Sequence, residues 1–549
     1  MIKRYQQTES HQPVESHQPA VAESHLPVES HQPVKSSLRM TLALSQVAAA
    51  LGVDLLGEDQ VFSQISINTR TVEPGDLFVA IKGENFDAHQ FVNEAEEKGA
   101  CGLVVEHACA SALPQICVHD TRMALGDIAS IWSSAFTLPI IAITGSCGKT
   151  TVKEMTAAIL GHAHKKNNSK VAHKKGNAEE NNEHILATRG NLNNDIGVPL
   201  TLLRLNREHQ AAVIELGANH TGEIKQLVEI VQPDVAVITN ASHAHIEGFG
   251  SLEGVAGAKA EIYSGLESDG TAVINADDSF ADFWQNYCQG LNEHSCSQES
   301  DHAEQQDNIK ILTYGLDKPA DISADYKQQT DGIELTIKTP IGKKTVQLKQ
   351  FGKHNVYNAL AATAAAISSG CNLEDVRKGL EDFTNISGRL EQKQGRQDSL
   401  IFDDTYNANP ASVRAGIEAI QQIAAQLNDA VAVLILGDMA ELGEESKQLH
   451  YQLGVDAARM GIQQLFTVGK NSRETCSGFN STIKDQNDLH NSSEDSYLAM
   501  QFNDKNELIH YVQNKLHKNS VVLVKGSRSM GMESVVDALV NKKLTEGEQ

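Results

Sequence analysis

The segment 140–151, IIAITGSCGKTT, constrains the fold more than any other part of this 549-residue chain. An apolar run typical of a buried strand enters a glycine-bounded turn, shorter than the full GxxxxGK[ST] pattern, and the helical pattern VKEMTAAIL follows. Glycines let backbone N–H groups face phosphate oxygens, and the helix N-terminus adds a favourable dipole. In such a loop Lys149 reaches the β- and γ-phosphates and Thr150 ligates Mg²⁺.

This order of strand, loop and helix predicts an ATP-binding phosphate loop. The alternative is a glycine-rich turn with a chance Lys-Thr pair. The expected ATP contacts in the loop are Gly145, Ser146, Cys147, Gly148, Lys149, Thr150 and Thr151.

Short β-rich runs alternate with helical patterns, which indicates an α/β protein with parallel sheets covered by helices. Ligands of open parallel sheets bind at the carboxyl ends of the strands, so we expect the chemistry there. The clearest predicted strands are 140–144, 211–216, 234–239, 430–436 and 520–525.

The length suits about three domains after a tail. The tail repeats a Glu-Ser-His-Gln-Pro unit with almost no apolar residues, so we expect it to be disordered. The polar stretch 387–398 is suited to a linker. The predicted divisions are 1–38 for the tail and 39–120, 121–388 and 389–549 for the domains. Polar insertions, expected as surface loops, are 162–184, 289–308 and about 478–495.

Composition excludes several classes of protein. Forty-six Lys+Arg against 71 Asp+Glu give a net charge of −25, which argues against nucleic acid as the principal partner. The N-terminus has no apolar signal region, and no run approaches the roughly 20 apolar residues of a membrane helix. The eight cysteines form no CxxC pair, so neither zinc nor a disulfide framework is indicated. We expect a cytoplasmic protein without membrane insertion.

A phosphate loop needs an acid near the metal, usually at the end of another strand. Glu215 follows the four apolar residues that begin the run AAVIEL, and His245 lies in the loop after the run DVAVIT. Alone, Glu215 could be a surface carboxylate and His245 an incidental histidine. At one sheet edge the two become candidates for a metal or phosphate site.

Other motifs resemble the Mur ligases, the family that builds peptidoglycan precursors. TGSCGKTT is similar to that family's shortened phosphate loop, and GNLNNDIGVPLTLL (190–203), DDTYNANPAS (403–412) and LGDMAELG (436–443) follow in order. The resemblance extends over nearly all of 39–540. It implies a three-domain α/β architecture: a UDP-substrate domain, a central P-loop parallel-sheet ATPase domain and a Rossmann-like C-terminal domain for a dipeptide.

Within the family, the motifs are most similar to those of the member that adds a dipeptide. The resemblance therefore implies ligation of D-alanyl-D-alanine to UDP-N-acetylmuramoyl-tripeptide by a monomer that uses ATP and Mg²⁺. The γ-phosphoryl group would pass to the peptide carboxylate, and the dipeptide amine would displace phosphate from the acyl phosphate. Two alternatives stay open: another amide ligase, such as a folylpolyglutamate synthetase or another muramyl-peptide ligase, and a P-loop NTPase that joins nothing.

The same resemblance implies roles for single residues. Glu215 and His245 fall on metal positions, and Lys259 falls on a lysine that relatives carry as a carbamate. Sequence alone marks Lys259 as an ordinary exposed helix lysine, whose typical pKa of about 10.4 must be lowered for that reaction. The implied catalytic set is Lys149, Lys259, Glu215 and His245, and the implied metal ligands are Thr150, Glu215, His245 and Lys259 as carbamate. Further implied ATP contacts are Asn275, Asn355, Arg389 and Asp404.

Substrate contacts are implied in three segments. In the first domain, the family's usual DSR is Asn68-Thr69-Arg70 here, and its FDGH is FDAH at 86–89. The loop at 406–409 could also be explained by Asx-turn chemistry alone. The implied contacts are Thr69, Arg70, Asn193, Asn194, Tyr406, Asn407 and Asn409.

Overall fold

The computed structural model describes residues 41–83, 85–165, 184–242, 246–296, 308–490 and 497–540. The predicted tail, most of the 162–184 insertion and His245 lie outside the described residues. Statements of absence below apply to the described ranges.

The amino-terminal part of the described chain forms a small, mostly parallel five-stranded sheet and a separate two-stranded sheet. Its strands are β1 (Leu42–Ala43), β2 (Leu55–Leu56), β3 (Val61–Phe62), β4 (Ile65–Ser66), β5 (Leu77–Val79), β6 (Gly102–Val105) and β7 (Gln115–Cys117), and its helices are α1 (Leu44–Leu51), α2 (Val92–Glu97) and α3 (Thr121–Ser133). Five strands pair in the order β2-β7-β6-β5-β4, and β1 pairs with β3. Because β5 and β6 are buried on both faces, they read as continuous apolar runs rather than alternating ones.

The central sheet carries the phosphate loop. Its strands are β8 (Ile140–Thr144), β9 (Ile185–Ala187), β10 (Ala211–Glu215), β11 (Val235–Ile238), β12 (Thr271–Asn275) and β13 (Lys310–Tyr314), and its helices are α4 (Lys149–Lys165), α5 (Gly197–Leu202), α6 (Glu223–Val231), α7 (Ile246–Phe249), α8 (Leu252–Ala260) and α9 (Ala281–Cys296). All strands are parallel, in the order β13-β12-β11-β8-β10-β9. Strand order reverses around β8, because β10 lies on one side of it and β11 on the other, and ligands bind at such switch points.

A three-stranded antiparallel sheet and two helices follow. They are β14 (Ser323–Gln329), β15 (Gly332–Thr339), β16 (Gly342–Leu348), α10 (Lys353–Ser368) and α11 (Leu373–Asp382). The alanine-rich α10 is buried along most of its length, where small side chains let it approach α4 closely. This packing stabilises the helix that follows the phosphate loop.

The carboxy-terminal sheet is six-stranded and mostly parallel. Its strands are β17 (Glu391–Gln394), β18 (Leu400–Asp404), β19 (Val431–Gly437), β20 (Gln464–Val468), β21 (Leu498–Phe502) and β22 (Ser520–Lys525), and its helices are α12 (Pro410–Ala424), α13 (Ser446–Arg459), α14 (Ser472–His490), α15 (Lys505–Gln513) and α16 (Glu533–Leu539). The order is β17-β18-β22-β19-β20-β21, and only β17 is antiparallel to its neighbour.

The five strands expected from sequence are confirmed, with ends that shift by one residue at most. Three polar segments differ from expectation. Helix α9 extends to Cys296, within the expected 289–308 loop, and α14 covers most of the expected 478–495 loop. In α14 the residues Cys476, Phe479 and Ile483 are buried. They form an apolar stripe on one face, which stabilises the helix although its exposed face is polar.

The expected linker at 387–398 also contains structure. Its residues 391–394 form β17, and Lys393 on that strand donates to Asp403 Oδ2 at 2.6 Å. This charge pair between neighbouring strands stabilises β17, which lies at the edge of the sheet. Because β17 is polar, its sequence resembles that of a linker. None of the helices in the described ranges is long and apolar enough to cross a membrane.

Candidate active site

The phosphate loop leaves β8 through Gly145 and reaches α4 through Gly148. Both glycines have positive φ, 150° and 86°. A Cβ added at Gly145 would lie 1.8 Å from Thr239 Oγ1, and one at Gly148 would lie 2.4 Å from Asn358 Oδ1. Conformation and space thus both require glycine at these two positions.

The segment after β11 holds the loop in shape. Asn240 accepts from Ser146 N through its carbonyl and from Cys147 N through Oδ1, both at 3.0 Å, and its Nδ2 donates to Cys147 O at 3.0 Å. Thr239 Oγ1 donates to the same carbonyl at 2.6 Å, and Ser146 Oγ donates to Ser242 O at 3.1 Å. The loop is therefore fixed from the neighbouring strand end before any ligand binds.

Lys149 begins α4 and folds back over the loop, where its Nζ donates to Gly145 O at 2.6 Å. Burial lowers the pKa of Lys149, whereas the nearby Glu215 carboxylate acts in the opposite direction. A lysine held on its own loop carbonyl has an easily exchanged partner, so it can turn to an entering phosphate.

Glu215 is the last residue of β10, the strand that pairs with β8, and it is only 3% exposed. Asn193 Nδ2 donates to its Oε1 at 2.9 Å, and its backbone N–H donates to Thr188 Oγ1 at 2.9 Å. Its Oε2 is buried and has no partner within the described residues. A buried carboxylate oxygen without a partner is costly, so this atom marks a place for a cation.

Lys259 lies on α8 and is 4% exposed, so the expectation of an exposed helix lysine is wrong. Burial lowers its pKa to about 7, and the charge of Lys149 adds to that shift. Among the described residues its Nζ has no hydrogen-bond acceptor, and the Phe249 ring centroid lies 6.0 Å away. A large part of this amine is therefore neutral near pH 7, as carbamate formation requires.

The fit of these residues to Mg²⁺ rests on the donor set. Thr150 offers a hydroxyl beside Lys149, and Glu215 offers a buried oxygen without a partner. Within the described ranges no three His, Cys, Asp or Glu side chains cluster to hold a metal. The side chains present thus fit a hard cation held jointly with phosphate oxygens better than an all-protein cage.

The carboxy-terminal sheet contributes two groups that contact the phosphate loop. Arg389 donates from its guanidinium to Thr150 Oγ1 at 3.3 Å and stacks on the Tyr406 ring, with 3.9 Å from Cζ to the ring centroid. Asn409 caps α12 through Ser412 N at 2.8 Å, and its Nδ2 lies 3.2 Å from Cys147 Sγ. The sequence hypotheses for Arg389 and Asn409 thus fall on residues beside the nucleotide loop.

Asp404 is held by a buried lysine instead of being free. Lys525 Nζ donates to Asp404 Oδ2 at 2.7 Å and to Asn407 O at 2.8 Å. Asn407 Oδ1 accepts from Ala408 N at 2.9 Å, as in a local Asx contact. These bonds hold the loop that follows β18 to the end of β22.

The asparagines implied for the nucleotide base are also bonded within the protein. Asn275 Nδ2 donates to Thr239 O at 3.2 Å, and Asn355 Nδ2 donates to Phe351 O at 2.9 Å. Asn355 Oδ1 accepts from Asn358 Nδ2 at 2.9 Å, which places Asn358 against Gly148. This short chain of contacts links α10 to the phosphate loop.

Two implied substrate contacts in the amino-terminal sheet lie apart from this network. Thr69 is buried and its carbonyl accepts from Lys98 Nζ at 2.7 Å, whereas Arg70 is exposed. Neither hydrogen-bonds to the phosphate loop in the part of the chain described. Asn194 Oδ1 accepts from Gly197 N, in the first residue of α5, at 2.9 Å.

Sequence reasoning missed the residues that contact the phosphate loop, which are Thr239, Asn240, Ser242 and Asn358, and also Lys525, which holds the loop after β18. A signal existed for the first three, because the run TNAS directly follows a strand that lies beside β8. Sequence alone does not order the strands, so this adjacency needed the structure.

Family models match three parts of the chain. Residues 61–132 match the model described as Mur ligase family, catalytic domain, and residues 143–366 match Mur ligase middle domain. Residues 388–528 match Mur ligase, glutamate ligase domain. The matches thus fall in the amino-terminal, central and carboxy-terminal parts of the chain.

Curated relatives are similar over almost their whole length. The UDP-N-acetylmuramoyl-tripeptide–D-alanyl-D-alanine ligase of Escherichia coli is 39% identical over 506 residues, which cover 91% of this chain and 98% of that protein. The enzyme of the same name from Haemophilus influenzae is 40% identical, over 91% of this chain and 99% of that protein.

Solved structures are similar in fold. A crystal structure of MurF from Acinetobacter baumannii has a TM-score of 0.76 and 33% identity, over 91% of this chain and 98% of that chain. MurF ligase from Thermotoga maritima, in complex with ADP, has a TM-score of 0.67 and 23% identity, over 86% of this chain and 96% of that chain. The second likeness concerns the fold alone.

Proposed function

Because this chain belongs to the Mur ligase family, we propose that it joins D-alanyl-D-alanine to UDP-N-acetylmuramoyl-tripeptide with conversion of ATP to ADP and phosphate. The chain is thus an ATP-dependent amide ligase of peptidoglycan precursor synthesis. The observation that carries this function is the convergence of Lys149, Glu215 and Lys259 on one phosphate loop. All three are buried or partly buried there, and the pKa values of both lysines are lowered.

The chemistry follows from the weakness of a carboxylate as an electrophile. The terminal carboxylate oxygen of the tripeptide attacks the γ-phosphorus of ATP, and the bond from that phosphorus to the β-γ bridging oxygen breaks. The neutral amine of the dipeptide then attacks the acyl carbon and forms a tetrahedral intermediate. Its collapse expels phosphate, and the amine loses a proton. Two anions meet in the first step, so Lys149 and the N–H groups of the fixed loop are needed to neutralise charge.

Mg²⁺, when bound, would neutralise phosphate charge, and the residues that fit it are Thr150, Glu215 and Lys259 as a carbamate. His245, outside the described residues, remains part of the proposed set. Addition of CO₂ to the neutral amine of Lys259 releases one proton and creates a carboxylate-like group. Its lowered pKa of about 7 supports this step, because the amine is then partly neutral at physiological pH.

We assign the remaining proposed contacts by ligand. Arg389 and Asp404 would contact ATP from the carboxy-terminal side, and Asn275 and Asn355 would lie near its base. The substrate contacts proposed are Thr69, Arg70, Asn193, Asn194, Tyr406, Asn407 and Asn409. The bonds of Asn193 to Glu215 and of Asn194 to α5 support positioning roles for these two residues.

The domain limits 39–120, 121–388 and 389–549, a cytoplasmic setting and a monomeric state belong to the same proposal. In support of the domain limits, the amino-terminal, central and carboxy-terminal sheets each fall within one of them.

Phosphate release by the purified full-length protein tests this function. We expect release from ATP only when UDP-N-acetylmuramoyl-tripeptide and D-alanyl-D-alanine are both present. A Lys225→Ala variant, altered at an exposed lysine of α6, serves as the matched control for Lys149→Ala. Equal release without either substrate would identify a hydrolase and contradict the ligase.

A further inference from the structure

Two guanidinium groups lie over the ring of Tyr406. The Cζ of Arg389 is 3.9 Å from the ring centroid, and the Cζ of Arg528 is 5.8 Å from it. Arg389 also reaches Thr150 Oγ1 at 3.3 Å, so it faces the nucleotide loop. Arg528 lies farther along the same contact chain, in the short helical turn 528–530 that follows β22.

The other cations near this strand end are already engaged. Lys525 is 2% exposed and holds Asp404 and Asn407, and Lys505 Nζ donates to Met530 O at 2.8 Å and to Gly531 O at 3.0 Å. Arg528 differs because its side chain is 67% exposed, and Glu533, at 3.6 Å, is the one charged side chain in the described ranges that it contacts. Such a loose and exposed pair is worth little, so Arg528 can exchange its partner easily.

The backbone that carries Arg528 is nevertheless fixed. Ser527 N donates to Asp438 O at 3.0 Å, and Met530 N donates to Ser527 O at 2.8 Å. Ser527 Oγ accepts from Ala440 N at 2.7 Å. An exposed guanidinium on a fixed backbone is suited to binding a ligand, because little backbone conformational entropy is lost when the ligand binds.

The proposed acceptor has only two ionisable ends. The amine of the dipeptide must be neutral to attack the acyl phosphate. The terminal carboxylate is then the one charged group of the dipeptide that the enzyme can bind. An extended dipeptide spans roughly 7 Å. Arg389 contacts both Thr150 Oγ1 and the Tyr406 ring, and Arg528 lies over the same ring, so a dipeptide whose carboxylate is bound by Arg528 would extend along Tyr406 toward the phosphate loop.

We infer that Arg528 binds the terminal carboxylate of the incoming dipeptide and so selects acceptors with a free C-terminus. The inference rests on the proposed function and adds a specificity residue to it. The planar guanidinium can donate two parallel hydrogen bonds to the carboxylate, which an ammonium group cannot match. Glu533 would give up its contact when the dipeptide enters.

The test compares D-alanyl-D-alanine with its C-terminal amide in the full-length enzyme. For the unaltered protein we expect kcat/KM to favour the carboxylate by about 10- to 100-fold, as for a hydrogen-bonded charge pair. In Arg528→Ala this preference should fall to about 1, and in Arg528→Lys it should be intermediate. The KM values for ATP and for the UDP substrate should not change.

Lys470→Ala provides the matched control, because Lys470 is an exposed cation that follows β20, two strands away from β22. This variant should keep the full preference for the carboxylate. An unchanged preference in Arg528→Ala would overturn the inference, as would a raised KM for ATP or the UDP substrate in place of the dipeptide. Failure of the unaltered enzyme to use either dipeptide would instead remove the proposed function, and this inference with it.

Discussion

The ends of the central sheet and of the carboxy-terminal sheet meet at the phosphate loop. Some polar groups at the central edge lack hydrogen-bond partners among the described residues, whereas those at the carboxy-terminal edge are paired with each other. At the central edge Glu215 Oε2 has no partner in the described structure, and Lys259 has a strongly lowered pKa. At the carboxy-terminal edge Asp404 and Lys525 satisfy each other. The first edge therefore holds groups that need ligands, whereas the second mainly fixes loops and presents Arg389 and Arg528.

Loss of Lys149 should have the largest effect on the ligand-poor central edge. We expect Lys149→Ala to lower kcat by about 10³-fold, because a preorganised positive charge is removed from the transferred phosphoryl group. Steady-state phosphate release with both substrates measures the change, and Lys225→Ala should stay near the unaltered rate. Near-normal turnover in Lys149→Ala would show that this edge does not act on phosphate.

The carboxy-terminal edge should respond in stability. Lys525→Met leaves the partly buried Asp404 carboxylate without its cation, so we expect unfolding to become easier by about 3 kcal/mol. Urea denaturation followed by circular dichroism measures this, with the exposed Lys518→Met as control. The double variant Lys525→Met with Asp404→Asn should recover part of the loss. A cost equal to that of Lys518→Met would mean that the pair fixes nothing.

Lys259 tests whether the central edge acts through a carbamate, because its expected role depends on the addition of CO₂ to its amine. We expect Lys259→Ala to lower kcat by about 10²-fold, since one anionic metal ligand is lost, and short carboxylates such as formate should restore part of it. Full activity in the alanine variant would contradict the carbamate.

The lowered pKa of Lys259 also gives a direction in pH. Its amine is mainly charged below about pH 7, and only the neutral form adds CO₂. Activity at low CO₂ should therefore fall as the pH drops through about 7, and added bicarbonate should oppose the fall. The formate-rescued Lys259→Ala variant should lack this dependence on bicarbonate.

Asn193 should have the smallest effect, because it acts through Glu215. Asn193→Ala frees Oε1 and lets the carboxylate turn, so we expect about 10-fold weaker Mn²⁺ binding in the presence of ADP. Electron paramagnetic resonance titration measures this without turnover. Asn191→Ala, at an exposed neighbouring position, should bind Mn²⁺ normally. Equal affinity in Asn193→Ala would remove its positioning role.

Much of the fold was predictable because buried parallel strands leave long apolar runs. The strands β8 and β22 agree with the sequence to the residue, and the phosphate loop follows from its glycines and Lys149. The helices α9 and α14 were missed at their ends, because their polar faces hide a buried stripe. Local polarity alone therefore misjudged where these helices stop.

The residue types of the candidate site were predictable from the sequence. Their burial and their hydrogen-bond partners were less predictable. The burial of Lys259 depends on how α8 packs against its surroundings, where Val255 and Ala258 cluster with Phe249, and the bond from Asn193 to Glu215 joins residues 22 positions apart. Neither contact has a local sequence signal. The same holds for the pairing of Lys525 with Asp404, which are 121 positions apart.

The transfer of a carboxylate oxygen to phosphate tests the central claim most directly. The tripeptide substrate would carry ¹⁸O in its terminal carboxylate, and the phosphate released with D-alanyl-D-alanine and ATP would be analysed by mass spectrometry. We predict one ¹⁸O atom in each phosphate for every amide bond formed, because the carboxylate attacks the γ-phosphorus. Amide product accompanied by phosphate without ¹⁸O would contradict the acyl-phosphate mechanism.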